Sequence, residues 1–366
     1  MKKYLLLSAL FLVFSNLQAE NGYDLWLRYN KITDPGILSD YKKLVIAPAL
    51  AGSSPTLLAA KEELQKGLSG LLGYSIQVKN SVSSQSTLLI GVADQLPFKL
   101  NPSDEKKLTS LGKEGFLISY GKILKNRVLI TANTDMGVLY GVFHLLRLMQ
   151  THQDLRQLDI VSAPRLQLRL LNHWDNLNRT VERGYAGFSI WDWHKLPGYI
   201  DKRYVDYARA NASIGINGAV LNNVNANALI LTNQYLLKVK VLADLFRPYG
   251  IKVYLAAKFS SPIETGKLKT ADPLNEEVRQ WWKDKAKEIY SLIPDFGGFL
   301  VKANSEGQPG PQDYKRTHAD GANMLADAVA PYKGNVIWRA FVYASENPVD
   351  RHKQAYDEFV PLDGQF

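Results

Sequence analysis

Short apolar runs alternate with longer amphipathic segments throughout the chain after Arg165. The spacing of apolar residues predicts a strand for each short run and a helix for each longer segment. The predicted strand and helix pairs are 166–174 with 202–212, 218–222 with 233–249, 251–259 with 275–292, 298–304 with 320–330, and 336–343 with 349–359. Five consecutive βα units predict a parallel sheet, which is either doubly wound or closed into a barrel.

The loops that follow the predicted strands favour the barrel. Segments 175–201 and 305–319, after the first and fourth strands, are long and rich in Gly, Pro and aromatic residues. No Gly-rich dinucleotide fingerprint follows the first strand, where a Rossmann fold would need one. Long loops at the carboxyl ends of strands are typical of (β/α)8 enzymes. We therefore predict that residues 161–366 form an incomplete (β/α)8 TIM barrel of about five βα units.

Residues 20–160 predict a smaller α/β domain. Strands are expected at 43–47, 74–78 and 87–92, together with a hairpin of 115–120 and 127–132. Helices are expected at 57–72 and 136–149, the second capped by residues 133–135, before a connection at 159–164. No residue of this domain stands out as catalytic.

The first 19 residues have the pattern of a signal peptide. Lys2 and Lys3 precede an apolar run at 4–14, and Ala19 is a small residue at the expected cleavage site, which predicts a secreted or periplasmic protein. No later stretch is long and apolar enough to cross a bilayer, so no membrane association is expected. The absence of Cys excludes thiol catalysis. The net charge of +9 is spread along the chain without a dense basic block, so we expect no nucleic-acid partner.

The fourth predicted strand carries the most informative polar residues. Alternate side chains of a strand share a face, so Lys302, Asn304 and Glu306 are expected to point into the barrel together. An ammonium, an amide and a carboxylate at the catalytic rim favour a functional role. The alternative is an ion pair between Lys302 and Glu306 that only fills the barrel.

Arg339 stands alone in the apolar fifth strand. A buried guanidinium needs an anionic partner, which is either a ligand or a neighbouring Asp or Glu. At the end of the first strand, Trp174 could stack on a sugar, whereas His173 is more often a satisfied core histidine. The six His residues show no metal-binding spacing, so we predict no metal and no cofactor. The absence of a G-x-S-x-G elbow argues against an esterase.

With these residues in place, the chain resembles the family-67 glycoside hydrolases, the alpha-glucuronidases that remove 4-O-methylglucuronic acid from xylan-derived oligosaccharides. The resemblance rests on the runs NHWDN at 172–176, ERGYAG at 182–187, VKANSEGQPGP at 301–311, THADGAN at 317–323 and WRAF at 338–341. It extends through the N-terminal domain, for which it implies a hexosaminidase-like accessory fold. One departure is Asn178-Arg179, where relatives are expected to have Asp-Gly.

The resemblance assigns roles to five residues. Glu306 falls on the general acid, Lys302 and Arg339 on residues that hold the glucuronic acid, Trp174 on an aromatic wall of the pocket, and Val224 on a smaller contact. It implies an inverting exo-glycosidase that acts on xylan-derived aldouronic oligosaccharides. The water-activating carboxylates are expected beyond residue 366, so this form is expected to be inactive. A homodimer of the full-length form is left open.

Two alternatives remain at this stage. One is a family-20-like hexosaminidase, whose domains would look similar. Such enzymes present an Asp-Glu pair at the fourth strand, and Ser305 in place of the Asp argues against this reading. The other is a non-catalytic fragment that binds uronates or other sugars.

Overall fold

The computed structural model describes residues 20–122, 124–304, 307–340 and 357–359, and the predicted signal peptide lies outside them. The first of its two sheets has five strands in the order β1-β2-β4-β3-β5. These are Ala49–Leu50 (β1), Leu88–Val92 (β2), Phe116–Tyr120 (β3), Val128–Ala132 (β4) and Asp159–Ser162 (β5). Strands β1, β2 and β4 are parallel, whereas β3 runs antiparallel to both β4 and β5.

The helices of this domain begin at well-defined polar caps. They are Pro35–Leu44 (α1), Pro55–Leu72 (α2), Pro102–Thr109 (α3) and Asp135–Gln150 (α4). In α1, α2 and α3 a proline at the first position follows a capping Asp, Ser or Asn whose side chain accepts a backbone N–H. Proline suits this position because its missing N–H would have no helical partner. Thr134 caps α4, within the predicted cap at 133–135.

The second sheet consists of five parallel strands in chain order. They are Leu170–Asn172 (β6), Gly218–Val220 (β7), Lys252–Ala256 (β8), Gly298–Lys302 (β9) and Asn335–Arg339 (β10). The helices are Lys202–Ser213 (α5), Asn233–Phe246 (α6), Ser261–Glu264 (α7), Glu276–Leu292 (α8) and His318–Val329 (α9). A doubly wound sheet would reverse its strand order at a switch point. Among the described strands the order is sequential, as in half of a barrel, and the predicted parallel sheet is confirmed.

The two faces of the second sheet are packed differently. Phe299 and Val301 belong to the core that the helices cover. Tyr254, Ala256 and Leu300 belong to a separate apolar cluster on the opposite face, which we call the inner face. The Tyr254 ring lies so close to Gly297 that a Cβ there would stand 2.3 Å from ring atoms. Small residues are therefore required where this ring crosses the sheet.

A buried ion pair joins the two domains. Glu63 of α2 is 3% exposed, and its carboxylate accepts hydrogen bonds from Tyr29 Oη at 2.6 Å and from Arg209 Nε at 2.7 Å and Nη2 at 2.9 Å. Arg209 lies on α5 and also donates to Asp206 at 3.0 Å. The helix that follows β6 is thus held against the N-terminal domain.

Three predictions for the N-terminal domain are wrong. The strand expected at 43–47 does not form. The helix α1 continues to Leu44, and strand pairing begins only at Ala49. The run 74–78 forms no strand, and only Lys79 makes an isolated bridge with Ala49. The connection expected at 159–164 contains β5, because Asp159–Ser162 pairs with the edge of β3 that faces away from β4. The strands β1 and β5 form instead by pairing with β2 and β3, which local composition does not reveal.

The predicted elements of the second half are mostly confirmed, with shorter strands. The first strand covers only Leu170–Asn172 of the expected 166–174. Of the last predicted helix, at 349–359, only residues 357–359 are described, and these are helical. No helix among the described ranges is long and apolar enough to cross a membrane.

Candidate active site

The carboxyl ends of the parallel strands gather the cationic residues predicted from the sequence. Lys302 and Arg339 are the last residues of β9 and β10, and their Cα atoms are register partners. Each lies two residues beyond an inner-face position, Leu300 and Ile337 respectively. Because side chains alternate along a strand, both cations belong to the inner face. Two positive charges therefore occupy adjacent positions on one rim of the sheet.

Lys302 is almost completely enclosed. Lys302 is 3% exposed. One of the interactions of its Nζ is a hydrogen bond donated to Asn225 Oδ1 at 2.8 Å. A buried ammonium is stable only with polar partners, so the loop after β7 helps to hold this charge in place. The alternative role, an ion pair with Glu306, concerns a residue outside the described ranges.

Arg339 contacts an aromatic ring. Its guanidinium carbon lies 5.9 Å from the centroid of the Trp174 ring, within the usual distance for a cation–π contact. Trp174 is 36% exposed. It follows β6, which is the edge strand opposite to β10 in the sheet. Within the ranges that the structure covers, no carboxylate lies within ion-pair distance of Arg339. The described part of the chain thus contains no acid partner for this guanidinium.

Val224 lies below these residues, in the apolar cluster of the inner face. It is 1% exposed and packs in the same cluster as Tyr254 and Leu300. The site therefore combines an apolar floor with a cationic and aromatic rim. The role of Val224 as a direct substrate contact stays a prediction.

The fourth strand is shorter than the predicted 298–304. Strand β9 ends at Lys302, and Asn304 adopts a left-handed conformation with φ of 52°. The Asn304 Nδ2 donates to Gln312 Oε1 at 3.0 Å in the following loop. The chain thus turns after the strand, and period-two spacing no longer decides which way its side chains face. Glu306, the predicted general acid, lies outside the described residues.

The loop after β6 folds back on itself beside Trp174. Isolated bridges join Asp175 to Val181 and Thr180 to Phe188, and Glu182 N donates to Trp174 O at 2.8 Å. Arg179 has a left-handed φ of 72°, a conformation that glycine adopts with less strain. This is the position where the resemblance predicts Gly. The Arg179 side chain gains an ion pair with Asp192 at 2.9 Å.

A chain of asparagine side chains connects this loop to Lys302 and was not predicted from the sequence. Asn223 Nδ2 donates to Asn176 Oδ1 at 3.0 Å, and Asn223 Oδ1 accepts from Asn225 N at 2.9 Å. Asn225 Oδ1 in turn accepts from Lys302. The signal available in the sequence was the run Asn222-Asn223-Val224-Asn225 directly after a strand.

The histidines nearest the site are engaged in packing. His173 Nε2 lies 2.7 Å from Tyr207 Oη, and its ring packs against Trp191, which favours the core-histidine interpretation. His318 Nδ1 accepts from Trp338 Nε1 at 3.1 Å. Burial lowers the pKa of His318, while Glu358 acts in the opposite direction. No group of three or more metal-ligating side chains occurs in the part of the chain that the structure describes.

Two family models match the chain. The model of the glycosyl hydrolase family 67 N-terminus covers residues 25–145, and that of the family 67 middle domain covers residues 148–366. Among curated proteins, the chain is 39% identical over 354 residues to the probable alpha-glucuronidase A of Aspergillus fumigatus, covering 95% of this chain and 41% of that protein. It is 39% identical over 382 residues to the alpha-glucuronidase of Hypocrea jecorina, covering 99% of this chain and 43% of that protein. The chain thus spans about two fifths of the length of these relatives.

Solved structures share the fold at low sequence identity. A GH138 enzyme targeting pectin rhamnogalacturonan II matches with a TM-score of 0.51 and 17% identity, over 85% of this chain and 36% of that one. A family GH115 4-O-methyl-alpha-glucuronidase with specificity for decorated arabinogalactans matches with a TM-score of 0.50 and 13% identity, over 78% of this chain and 39% of that one. At this identity the similarity concerns the fold alone.

Proposed function

Because this chain belongs to glycoside hydrolase family 67, we propose that it carries the uronate-binding site of an alpha-glucuronidase. The reaction is removal of (4-O-methyl-)glucuronic acid that is α-1,2-linked to xylo-oligosaccharides. The similar proteins named alpha-glucuronidase support the release of glucuronic acid. The linkage and the xylan-derived substrate rest on the family resemblance.

The observation that carries this proposal is the pair of adjacent cations on the inner rim. Lys302 is 3% exposed, and Arg339 lies beside it without an acid partner among the described residues. A planar guanidinium can hold both oxygens of a carboxylate, and an ammonium adds a point charge. Trp174, against which Arg339 packs, supplies a ring for the sugar face. A neutral sugar would offer no anionic group to the Arg339 guanidinium.

We assign the general acid to Glu306, which would protonate the glycosidic oxygen as the bond to the anomeric carbon breaks. In the proposed inverting mechanism, a water molecule attacks the opposite face of the sugar, and a second carboxylate takes its proton. That carboxylate stands about 6.5–9.5 Å from the acid in inverting enzymes. We assign it to no described residue. We further propose that the five strands belong to a (β/α)8 barrel and that the protein is exported.

The second candidate is a uronate-binding protein without catalysis. The cation pair favours it equally, since the pair accounts for binding a carboxylate and not for cleaving a glycosidic bond. Turnover therefore separates the two candidates. Glucuronyl-xylotriose is the test substrate, and a chitobiose analogue is the control for a hexosaminidase.

The binding part is tested by calorimetric titration of the chain with D-glucuronate and with D-glucose. We expect Arg339→Met to reduce the preference for glucuronate by about tenfold or more, which is ~1.4 kcal/mol. Arg316→Met is the matched control, because Arg316 is half-buried and forms an ion pair with Asp272 instead. Equal losses for both sugars in Arg339→Met would show that this arginine is structural.

The catalytic role is tested in a protein that spans the whole length of the curated relatives. Glu306→Gln should abolish cleavage of glucuronyl-xylotriose while binding of the substrate is largely retained. Turnover close to that of the unsubstituted enzyme would remove Glu306 from its role. An unsubstituted protein that binds glucuronate but does not cleave glucuronyl-xylotriose would support the second candidate.

A further inference from the structure

Asn225 contacts Lys302 and belongs to the turn that carries the apolar floor of the site. Its Oδ1 accepts the Lys302 hydrogen bond at 2.8 Å. Its chain neighbours Val224 and Ala226 both belong to the inner-face cluster, and Asn225 itself is half-buried. The residue therefore lies on the same side of the sheet as the two cations.

Lys302 fixes which way the Asn225 amide is turned. An ammonium has donors and no acceptor, so only the amide oxygen can face it. The NH2 group, with two donors, lies in the same plane as the oxygen and is the other substituent of Cγ, so it points away from Lys302. In the described part of the chain no acceptor lies within hydrogen-bonding distance of Asn225 Nδ2.

The backbone of Asn225 is also anchored. Its N–H donates to Asn223 Oδ1 at 2.9 Å, and Asn223 Nδ2 donates to Asn176 Oδ1 at 3.0 Å. Asn223 is 3% exposed, and its N–H donates to Asp175 O at 2.8 Å. A turn held by buried amides can keep its side chains in place with little loss of conformational freedom on binding.

We propose that Asn225 determines the specificity of the site for uronates, by holding the Lys302 ammonium with its oxygen and donating its N–H groups to the bound anion. This inference rests on the proposed uronate site. It adds a neutral donor to the two cations. It also explains why an amide stands here, since a carboxylate would hold Lys302 but repel a uronate.

Two substitutions separate the two parts of this proposal. Asn225→Ala removes the acceptor and the donors, whereas Asn225→Asp keeps an acceptor for Lys302 and replaces the donors by a negative charge. We expect both variants to lose about tenfold or more in affinity for D-glucuronate, with D-glucose binding unchanged. A tenfold loss for glucose as well, or unchanged affinity for glucuronate, would overturn the proposal.

A second measurement follows Lys302 itself. In protein labelled with ¹⁵N at lysine, the Lys302 ammonium signal is assigned by its loss in Lys302→Met. Its exchange with water should become faster in Asn225→Ala and remain slow in Asn225→Asp. An unchanged exchange rate in Asn225→Ala would show that the amide does not hold this ammonium.

Asn222 provides the matched control from the same turn. Among the residues that the structure describes, its side chain bonds only to the backbone of Ala256, accepting from N at 2.9 Å and donating to O at 2.9 Å. Asn222→Ala should lower the unfolding midpoint without changing the ratio of glucuronate to glucose affinity. If the unsubstituted chain binds no glucuronate, the proposed uronate site fails and the specificity role with it. The ammonium signal then still decides whether Asn225 holds Lys302.

Discussion

Replacing Glu63 by Gln tests whether the two domains are joined by the buried ion pair. Gln has the same shape but removes the charge, and its NH2 group cannot accept from Arg209. The Glu63 and Arg209 side chains are only 3% and 11% exposed. Loss of one partner of a buried pair costs about 3–5 kcal/mol. Arg209 keeps its hydrogen bond to Asp206 at 3.0 Å. We therefore expect a loss of unfolding free energy at the lower end of this range, about 3 kcal/mol.

The assay is urea unfolding followed by tryptophan fluorescence and circular dichroism. Glu62→Gln is the matched control, since Glu62 is the neighbouring residue on α2 and is exposed. A Glu63→Gln variant within about 1 kcal/mol of this control would refute the reasoning, because exposed single charges contribute no more than that. The double variant Glu63→Leu with Arg209→Met should recover part of the loss, since no buried charge is then left without its partner.

Two further predictions concern stability. Burial, with Arg147 adding to it, lowers the pKa of His144 to about 4. Since the unfolded value is about 6.5, the fold should be most stable above that pH and lose about 1–2 kcal/mol as the pH falls towards 4, after discounting for solvent access. Chemical denaturation across this range should show the loss, and His144→Gln should lack it. Gly297→Ala should lower the free energy of unfolding by about 1–3 kcal/mol, because the new Cβ would clash with Tyr254. Gly198→Ala is the control and should melt like the unsubstituted chain, since its Cβ would meet nothing closer than 3.6 Å. Equal melting temperatures would contradict the packing described for the inner face.

Local signals in the sequence were sufficient for the second sheet and for the hairpin of the first. The hairpin strands β3 and β4 pair as predicted, with Phe116 opposite Ala132. The parallel direction of the strands followed from the alternation of strands and helices, because each helical crossover returns the chain to the end of the sheet where the previous strand began. By contrast, β1 and β5 are short and take their conformation from the strands they pair with.

The site was predictable where a residue type was unusual for its position. Lys302 and Arg339 are charged residues in apolar strands, and their adjacency follows from parallel register. Asn225 carried no comparable signal, since an asparagine after a strand is ordinary in turns. Its contact with Lys302 joins residues 77 positions apart, and only the folded sheet brings them together.

The central claim is that Lys302 and Arg339 together hold the carboxylate of a uronic acid. A crystal structure of the chain with D-glucuronate bound tests it most directly. We predict carboxylate oxygens within about 3 Å of both Lys302 Nζ and the Arg339 guanidinium, with the sugar ring beside Trp174. A sugar bound elsewhere, or one whose carboxylate faces away from both cations, would contradict the account.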